Sequence, residues 1–261
     1  MSAARRVAVV TGGAGTIGQA TAEKLAGQGF DIQLIDRNAA ALEAARVRVD
    51  KAGARCLVTA ADVTQAKHVD QAIAACMAAF GRIDALLNIA GGAGPVRAYQ
   101  VDEISDPVWH NVMDLNVTST FLCCRAVVPI MRQQRYGRIV VLSSIIAHGE
   151  KGPPTTVAAR LPYATAKAAL LGFTSQLAKD VGAEGITVNA LVPGLIIGEP
   201  GTRIADRFRA LSESERAEMV RGYPVGRPGS AAEVAEAAAF LCSEGAGFVS
   251  GAALPVDGAY L

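Results

Sequence analysis

Along the whole chain, short runs of adjacent apolar residues, many of them β-branched, alternate with longer alanine-rich stretches. The runs at 7–10, 32–35, 56–58, 83–87, 139–142 and 186–192 are short and mostly apolar, without regular alternation of apolar and polar residues. That is the pattern of strands covered on both faces, as in parallel sheets. The stretches between them predict helices over 16–28, 39–52, 65–79, 110–134, 163–181 and 231–242, and a last short strand is expected over 252–256. This rhythm predicts an α/β fold, a doubly wound parallel β-sheet with helices on both faces, in which ligands gather at the carboxyl ends of the strands. Two segments interrupt it, 148–160 and 198–223. Both follow strand ends and are read as substrate-side insertions in a single domain covering residues 1–261.

Composition narrows the class. With 261 residues, 51% of them hydrophobic, the chain can bury one large core without a second domain. Its 25 basic and 24 acidic residues leave a formal net charge of +1 and are spread along the sequence, so no basic stripe invites nucleic acid. No apolar run reaches bilayer-spanning length, and the opening Met1-Ser2-Ala3-Ala4-Arg5-Arg6 leads into a strand rather than a signal-peptide core. A soluble, cytoplasmic protein with no membrane partner is expected. Cys56, Cys76, Cys123, Cys124 and Cys242 sit in apolar surroundings without CxxC spacing, which fits reduced core thiols. His68, His110 and His148 are too scattered to nominate a metal cluster, and no metal is expected.

The segment Thr11-Gly12-Gly13-Ala14-Gly15-Thr16-Ile17-Gly18 closes the first strand and opens the first helix. Glycines there let the backbone turn tightly and approach a pyrophosphate, while the helix N-terminus offers N–H groups and a favourable dipole. Residues 13–18 fit the G-x-G-x-x-G pattern, and the strand before and helix after give that pattern its meaning. Gly12, Gly15, Thr16, Ile17 and Gly18 are therefore candidate dinucleotide contacts. The second strand ends in Asp36-Arg37. A carboxylate there can accept hydrogen bonds from both ribose hydroxyls of NAD and repels the additional phosphate of NADP. NAD is the expected cofactor, and Arg37, able to pair with a phosphate, keeps NADP as the alternative. Asp62-Val63, ending the third strand, is placed to meet the adenine ring, or Asp62 to cap the next helix. Asn88-Ile89-Ala90-Gly91 ends the fourth strand.

Tyr163 and Lys167 lie four residues apart at the head of a helical stretch, on one helix face. A free phenol titrates near pH ~10, and an adjacent ammonium favours the phenolate, which makes tyrosine usable as an acid and base near neutrality. A surface pair is the plainer alternative for these two residues taken alone.

The whole set, Thr11-Gly12 with Ile17-Gly18, Asp62-Val63, Asn88-x-Ala90-Gly91, Asn116, Ser144, Tyr163-x-x-x-Lys167, Asn189 and Pro193-Gly194, resembles the short-chain dehydrogenases/reductases of the single-domain kind of about 250 residues. The likeness runs over essentially the full length. It implies a catalytic set of Asn116, Ser144, Tyr163 and Lys167, with Ser144 preferred to Ser143 by its place in the family motif. It also implies that Pro193, Gly194 and Ile196 flank the nicotinamide, and that the chain forms a homo-oligomer, a tetramer or a dimer, through the long helices around Asn116 and Tyr163 and the C-terminal strand. Departures from the family pattern are Thr16 where glycine is usual, Ile89 for a second asparagine, Gly198 where a threonine is common, with Thr202 as its possible substitute, and Ala259 in a usual Asp-Gly-Gly. The spacing from Ser144 to Tyr163 is also longer than is common there.

The activity so implied is hydride transfer between NAD(H) and a small-molecule secondary alcohol or its ketone. Tyr163 would exchange the hydroxyl proton, Lys167 would lower the tyrosine pKa and bond the nicotinamide ribose, Ser144 would bond the substrate oxygen, and Asn116 would hold a proton-relaying water. His148 and Glu150 would lie near a polar substrate. Asn116 bonding backbone in a kinked helix and Ser144 capping a loop are the plainer alternatives. Rival functions are an NADPH-dependent 3-oxoacyl thioester reductase, which Asp36 opposes, and a nucleotide-binding sensor or scaffold without catalysis, which the intact set opposes.

Overall fold

A computed structural model describes residues 5–98, 100–149, 160–199 and 202–261. Residues 150–159, Glu150 among them, make up most of the first expected insertion and lie outside the described residues. Strands β1 (Arg6–Thr11), β2 (Phe30–Asp36), β3 (Cys56–Ala60), β4 (Ala85–Asn88), β5 (Gly137–Leu142) and β6 (Ile186–Pro193) alternate with helices α1 (Thr16–Gly27), α2 (Ala39–Lys51), α3 (Ala66–Phe80), α4 (Asp106–Met113), α5 (Ser119–Gln134) and α6 (Arg160–Val181). The short β7 (Ile196–Ile197), α7 (Arg203–Ala210), α8 (Glu213–Arg221) and β8 (Gly229–Ser230) then lead to α9 (Ala231–Leu241) and β9 (Ala253–Val256).

Seven strands form one sheet in the order β3-β2-β1-β4-β5-β6-β9, every neighbouring pair parallel. Because successive strand residues point to opposite faces, Val7 and Val9 enter a core with α3, α5 and α6, while Ala8 and Val10 enter another with α1, α2 and α9. Both faces are thus covered, which is why the strands carry consecutive apolar residues. After β3 the chain crosses to the other side of β1 and lays down β4 there. Such a reversal opens a crevice between the carboxyl ends of β1 and β4, and the glycine turn follows one of those ends.

Several expected boundaries move. The helix expected over 110–134 starts earlier and is interrupted: α4 opens after the extended Ser105 with Pro107 in its first turn, and a π-helical turn (Asp114–Thr118) separates it from α5. Proline is tolerated there because first-turn N–H groups have no helical partner. The fourth strand begins at Ala85, not Ile83. Asp84 before it is buried, with its carboxylate accepting Val7 N–H at 2.8 Å and pairing with Arg82 at 2.6 Å. The helix carrying Tyr163 starts at Arg160. The segment 198–223, expected as a second insertion, carries α7 and α8 where it is described.

Candidate functional site

Gly12 turns the chain out of β1 with φ +66°, a region that favours glycine, and a Cβ there would stand 2.8 Å from the Ala90 nitrogen. The β1 and β4 ends therefore meet backbone to backbone. Thr11 fastens them: its hydroxyl donates to Leu87 O at 3.3 Å and accepts from Ile89 N and Ala90 N at 3.1 and 3.2 Å. A Cβ on Gly18 would collide with the Gly12 carbonyl oxygen, so α1 can start this close to the turn only with glycine there. Gly15 occupies the N-cap of α1 with no side-chain hydrogen bond. The first turn of α1, Thr16 to Gly18, thus faces the crevice without a side-chain cap, the arrangement that receives a phosphate.

Asp36 ends β2 against this turn. One carboxylate oxygen accepts Ala14 N–H at 3.2 Å and the other Asn38 N–H at 3.1 Å. Each oxygen keeps a lone-pair direction for a further donor. Beside it, Arg37, Asp62, His68 and Gln71 line a surface cavity of about 400 Å³. Burial works to raise the Asp62 carboxyl, but hydrogen bonds from Thr64 N–H (3.0 Å) and its hydroxyl (2.8 Å), with the charges of Arg37 and His68, hold it below its usual value. Asp62 closes a turn here and is not the N-cap of α3, which is Gln65. Val63 is buried in the core, so its main chain alone is available to a ligand. The Asn88 side chain is likewise inside, donating to Cys124 Sγ at 3.5 Å, and stands apart from the crevice.

The second half of the site hangs on α6. Lys167 is 2% exposed; its Nζ donates to Leu142 O at 2.6 Å and lies 5.5 Å from the centre of the Tyr163 ring. Burial pushes its pKa down to about 7. Gly91 makes room for it, since a Cβ there would come 3.2 Å from Lys167 Nζ and 2.6 Å from Asn116 Oδ1. Asn116, fully buried, sits in the π-helical turn and clamps the same segment: Oδ1 accepts Gly92 N–H at 3.0 Å, and Nδ2 donates to Gly92 O and Val112 O, both at 2.8 Å. The Tyr163 ring packs with Val108, Val112, Met113 and Val117 around Ala166.

The two serines separate. Ser143 is buried and donates to Lys167 O at 2.8 Å, pinning α6 to the end of β5. Ser144 is partly exposed and heads the turn Ile145–His148, its Oγ accepting Ile146 N–H at 3.4 Å. Past β6, Gly194 N donates to Val256 O at 3.1 Å, and Ile196 pairs with Gly229. The chain then passes over the start of α1: a Cβ on Gly198 would lie 2.6 Å from Thr16 Cγ2 and 3.0 Å from Thr202 Oγ1. Close approaches thus link Gly12 to Ala90, Gly91 to Asn116 and Lys167, and Gly198 to Thr16. Sequence reasoning missed Thr11 and Ser143 as fasteners, because hydroxyls bonded across the sheet carry no local signal.

A dinucleotide fits these residues. An uncapped helix start next to a tight glycine turn, and a carboxylate with lone pairs left at the end of β2, are what its phosphates and ribose require. Among the described residues, no group of three or more His, Cys, Asp or Glu could hold a metal ion, and no helix is long and apolar enough to cross a membrane.

Comparison with known proteins gives a consistent set. The family described as Enoyl-(Acyl carrier protein) reductase matches residues 12–260. The short-chain reductase protein NovJ of Streptomyces niveus is 36% identical over 252 residues, 97% of this chain and 92% of the relative. The 3-oxoacyl-[acyl-carrier-protein] reductase FabG of Escherichia coli (strain K12) is 34% identical over 253 residues, 97% and 96% of the two chains. Among solved structures, levodione reductase superimposes with TM-score 0.86 at 31% identity, covering 97% of this chain and 96% of the other. NAD+-bound xylitol dehydrogenase does so with TM-score 0.86 at 32% identity, covering 97% and 98%.

Proposed function

We propose that this chain, which belongs to the short-chain dehydrogenase/reductase family of oxidoreductases, interconverts a secondary alcohol and its ketone by hydride transfer with NAD(H), using Tyr163 as general acid and base. The observation that carries this reading is Lys167, a dehydrated amine held against the Leu142 carbonyl beside the Tyr163 ring. A surface pair would be solvated. In this reading the protonated amine, one helical turn from Tyr163, favours the phenolate and so makes the phenol usable as an acid and base.

The nicotinamide, when bound, supplies or accepts the hydride. Gly12, Gly15, Thr16, Ile17 and Gly18 receive the pyrophosphate; Asp36 takes the adenosine ribose hydroxyls, with Arg37 and Asp62 bordering the adenine, and Val63, Ala90 and Gly91 offer main chain. Asn88 supports this wall from inside. Pro193, Gly194 and Ile196 lie along the nicotinamide. Tyr163 removes or returns the hydroxyl proton, Ser144 donates a hydrogen bond to the substrate oxygen as charge grows there, and Lys167 holds the charge that favours the phenolate and reaches the nicotinamide ribose. With both Nδ2 hydrogens and one Oδ1 lone pair engaged by Gly92 and Val112, Asn116 acts by holding Gly91 and Gly92 against Lys167, and the second Oδ1 lone pair is what a relaying water would use. The segments 148–160 and 198–223 shape the substrate side. We place the protein in the cytoplasm as a homo-oligomer, a tetramer or dimer, which light scattering on the purified protein would test.

The NAD preference rests on Asp36, and the likeness to an NAD+-bound xylitol dehydrogenase supports it. A second reading, reduction of 3-oxoacyl thioesters with NADPH, is favoured by the likeness to FabG and by Arg37 on the adenine-side cavity. Purified protein incubated with NAD or NADP and a panel of secondary alcohols, and with NADH or NADPH and ketones or 3-oxoacyl thioesters, separates them by the absorbance of reduced nicotinamide. Turnover of an alcohol or simple ketone with NAD(H) supports the first. Turnover confined to NADPH and thioesters moves the assignment to the second, and binding without turnover of any substrate sinks both.

A further inference from the structure

The turn after β6 is held from an unexpected side. Gly194 N makes the last ladder bond, to Val256 O, and the next amide, Leu195 N–H, has left the sheet. It donates instead to the hydroxyl of Tyr223 at 3.0 Å, from just beyond the end of α8. Tyr223 is buried, and its ring lies so close to the turn that a Cβ on Gly194 would meet its Cε1 at 2.9 Å.

The C-terminal tail clamps Tyr223 in turn. The Tyr260 ring packs on it with centroids 4.7 Å apart, and a Cβ on Gly222 would lie 2.9 Å from Tyr260 Cε2. The tail is itself fixed: Asp257 accepts Ala259 N–H at 3.1 Å and Leu261 N–H at 3.0 Å, and Val225 N donates to Gly258 O at 3.3 Å. Beside this assembly lies a cavity of about 360 Å³ lined by Gly194, Leu195, Tyr223, Val225 and Gly258 among others. The Leu195 side of the turn is therefore not braced by close packing all round, and one hydroxyl supplies a fixed point.

We infer that Tyr223 is a positioning residue: through its hydrogen bond to Leu195, and held by Tyr260, it sets the Pro193-Gly194-Leu195-Ile196 turn against the nicotinamide end of the cofactor. This rests on the reading above that the turn borders the nicotinamide. A phenylalanine would fill the same space, so the hydroxyl is separable from the ring. It also ties α8, within the charged segment on the substrate side, to the cofactor wall.

The test compares wild type with Tyr223→Phe and Tyr260→Ala by two readouts. Amide hydrogen exchange at Leu195 is measured on the cofactor-free protein, and NADH dissociation constants by titration. The expected result is faster exchange confined to the turn and its neighbours, with a several-fold weaker NADH affinity in Tyr223→Phe, because cofactor binding must then order a turn that the hydroxyl no longer holds. Tyr260→Ala shifts both in the same direction. Unchanged exchange at Leu195 in Tyr223→Phe overturns the latch. Faster exchange with unchanged NADH affinity overturns its positioning role and leaves the turn a structural feature. Wild type that binds neither NADH nor NADPH overturns the nicotinamide reading of the site, and the positioning role with it.

Discussion

Replacing Lys167 with methionine should stabilise the protein while abolishing its activity. The ammonium of Lys167 has lost its water and gained one carbonyl partner, and its pKa falls from the ordinary 10.5 to about 7. At ~1.4 kcal/mol per pH unit, that fall corresponds to about 5 kcal/mol of stability forgone at pH 7 and below. Methionine keeps much of the stem without the charge. It also strands the Leu142 carbonyl, at a cost of ~1–3 kcal/mol. The variant should therefore be more stable than wild type by about 2–4 kcal/mol at pH 7. Because the folded pKa lies below the unfolded one, the unfolded chain binds the extra proton between about pH 7 and 10.5, so wild-type stability rises with pH across that window. The variant lacks this term, so its advantage should shrink as pH rises and reverse near the top. Urea unfolding of both cofactor-free proteins from pH 6.5 to 9.5 reads the difference directly. A difference that stays constant with pH, or a variant less stable at pH 7, would refute the claim that Lys167 is held against its own desolvation.

Asp36→Ser should lower the ratio of kcat/KM for NAD over NADP by about tenfold or more, because the repelling charge goes while one acceptor remains. Unfolding should show a loss of only about 1 kcal/mol from the weakened Ala14 and Asn38 bonds. An unchanged ratio would place the ribose elsewhere. In Gly18→Ala the new methyl meets the Gly12 carbonyl oxygen, which is backbone and cannot swing aside. A thermal melt should register a loss of ~1–3 kcal/mol, and titration a more than tenfold weaker NAD affinity; normal affinity would mean that α1 does not approach the phosphate through this turn.

The layered fold was legible because a doubly covered sheet forces consecutive apolar residues into each strand, and every expected strand is present within a few residues. The glycine turn was legible for a related reason: backbone contact between Gly12 and Ala90 and between Gly18 and Gly12 tolerates no side chain. The Tyr163–Lys167 spacing predicted one shared helix face, but could not reveal that the amine is buried at 2% exposure, since that depends on β5 and Gly91, far away in sequence. The interruption between α4 and α5 was hidden because a five-residue π turn shifts the apolar stripe without ending it. Asn116 consequently sits in a special turn that periodicity reads as plain helix. Asn88 and Val63 point into the core, which a motif read as a string of letters cannot distinguish from the crevice. The Tyr223–Leu195 bond spans 28 residues with no motif at either end.

The most direct measurement is single-turnover hydride transfer to NAD from the alcohol that proves to be a substrate, in wild type beside Tyr163→Phe, with NADH affinity measured on both. The predicted result is a rate at least a hundredfold lower in the variant, as expected when a positioned general base is removed, with NADH binding little changed. Hydride transfer at the wild-type rate in Tyr163→Phe would contradict the account, because the proton would then leave by a route that does not use this phenol.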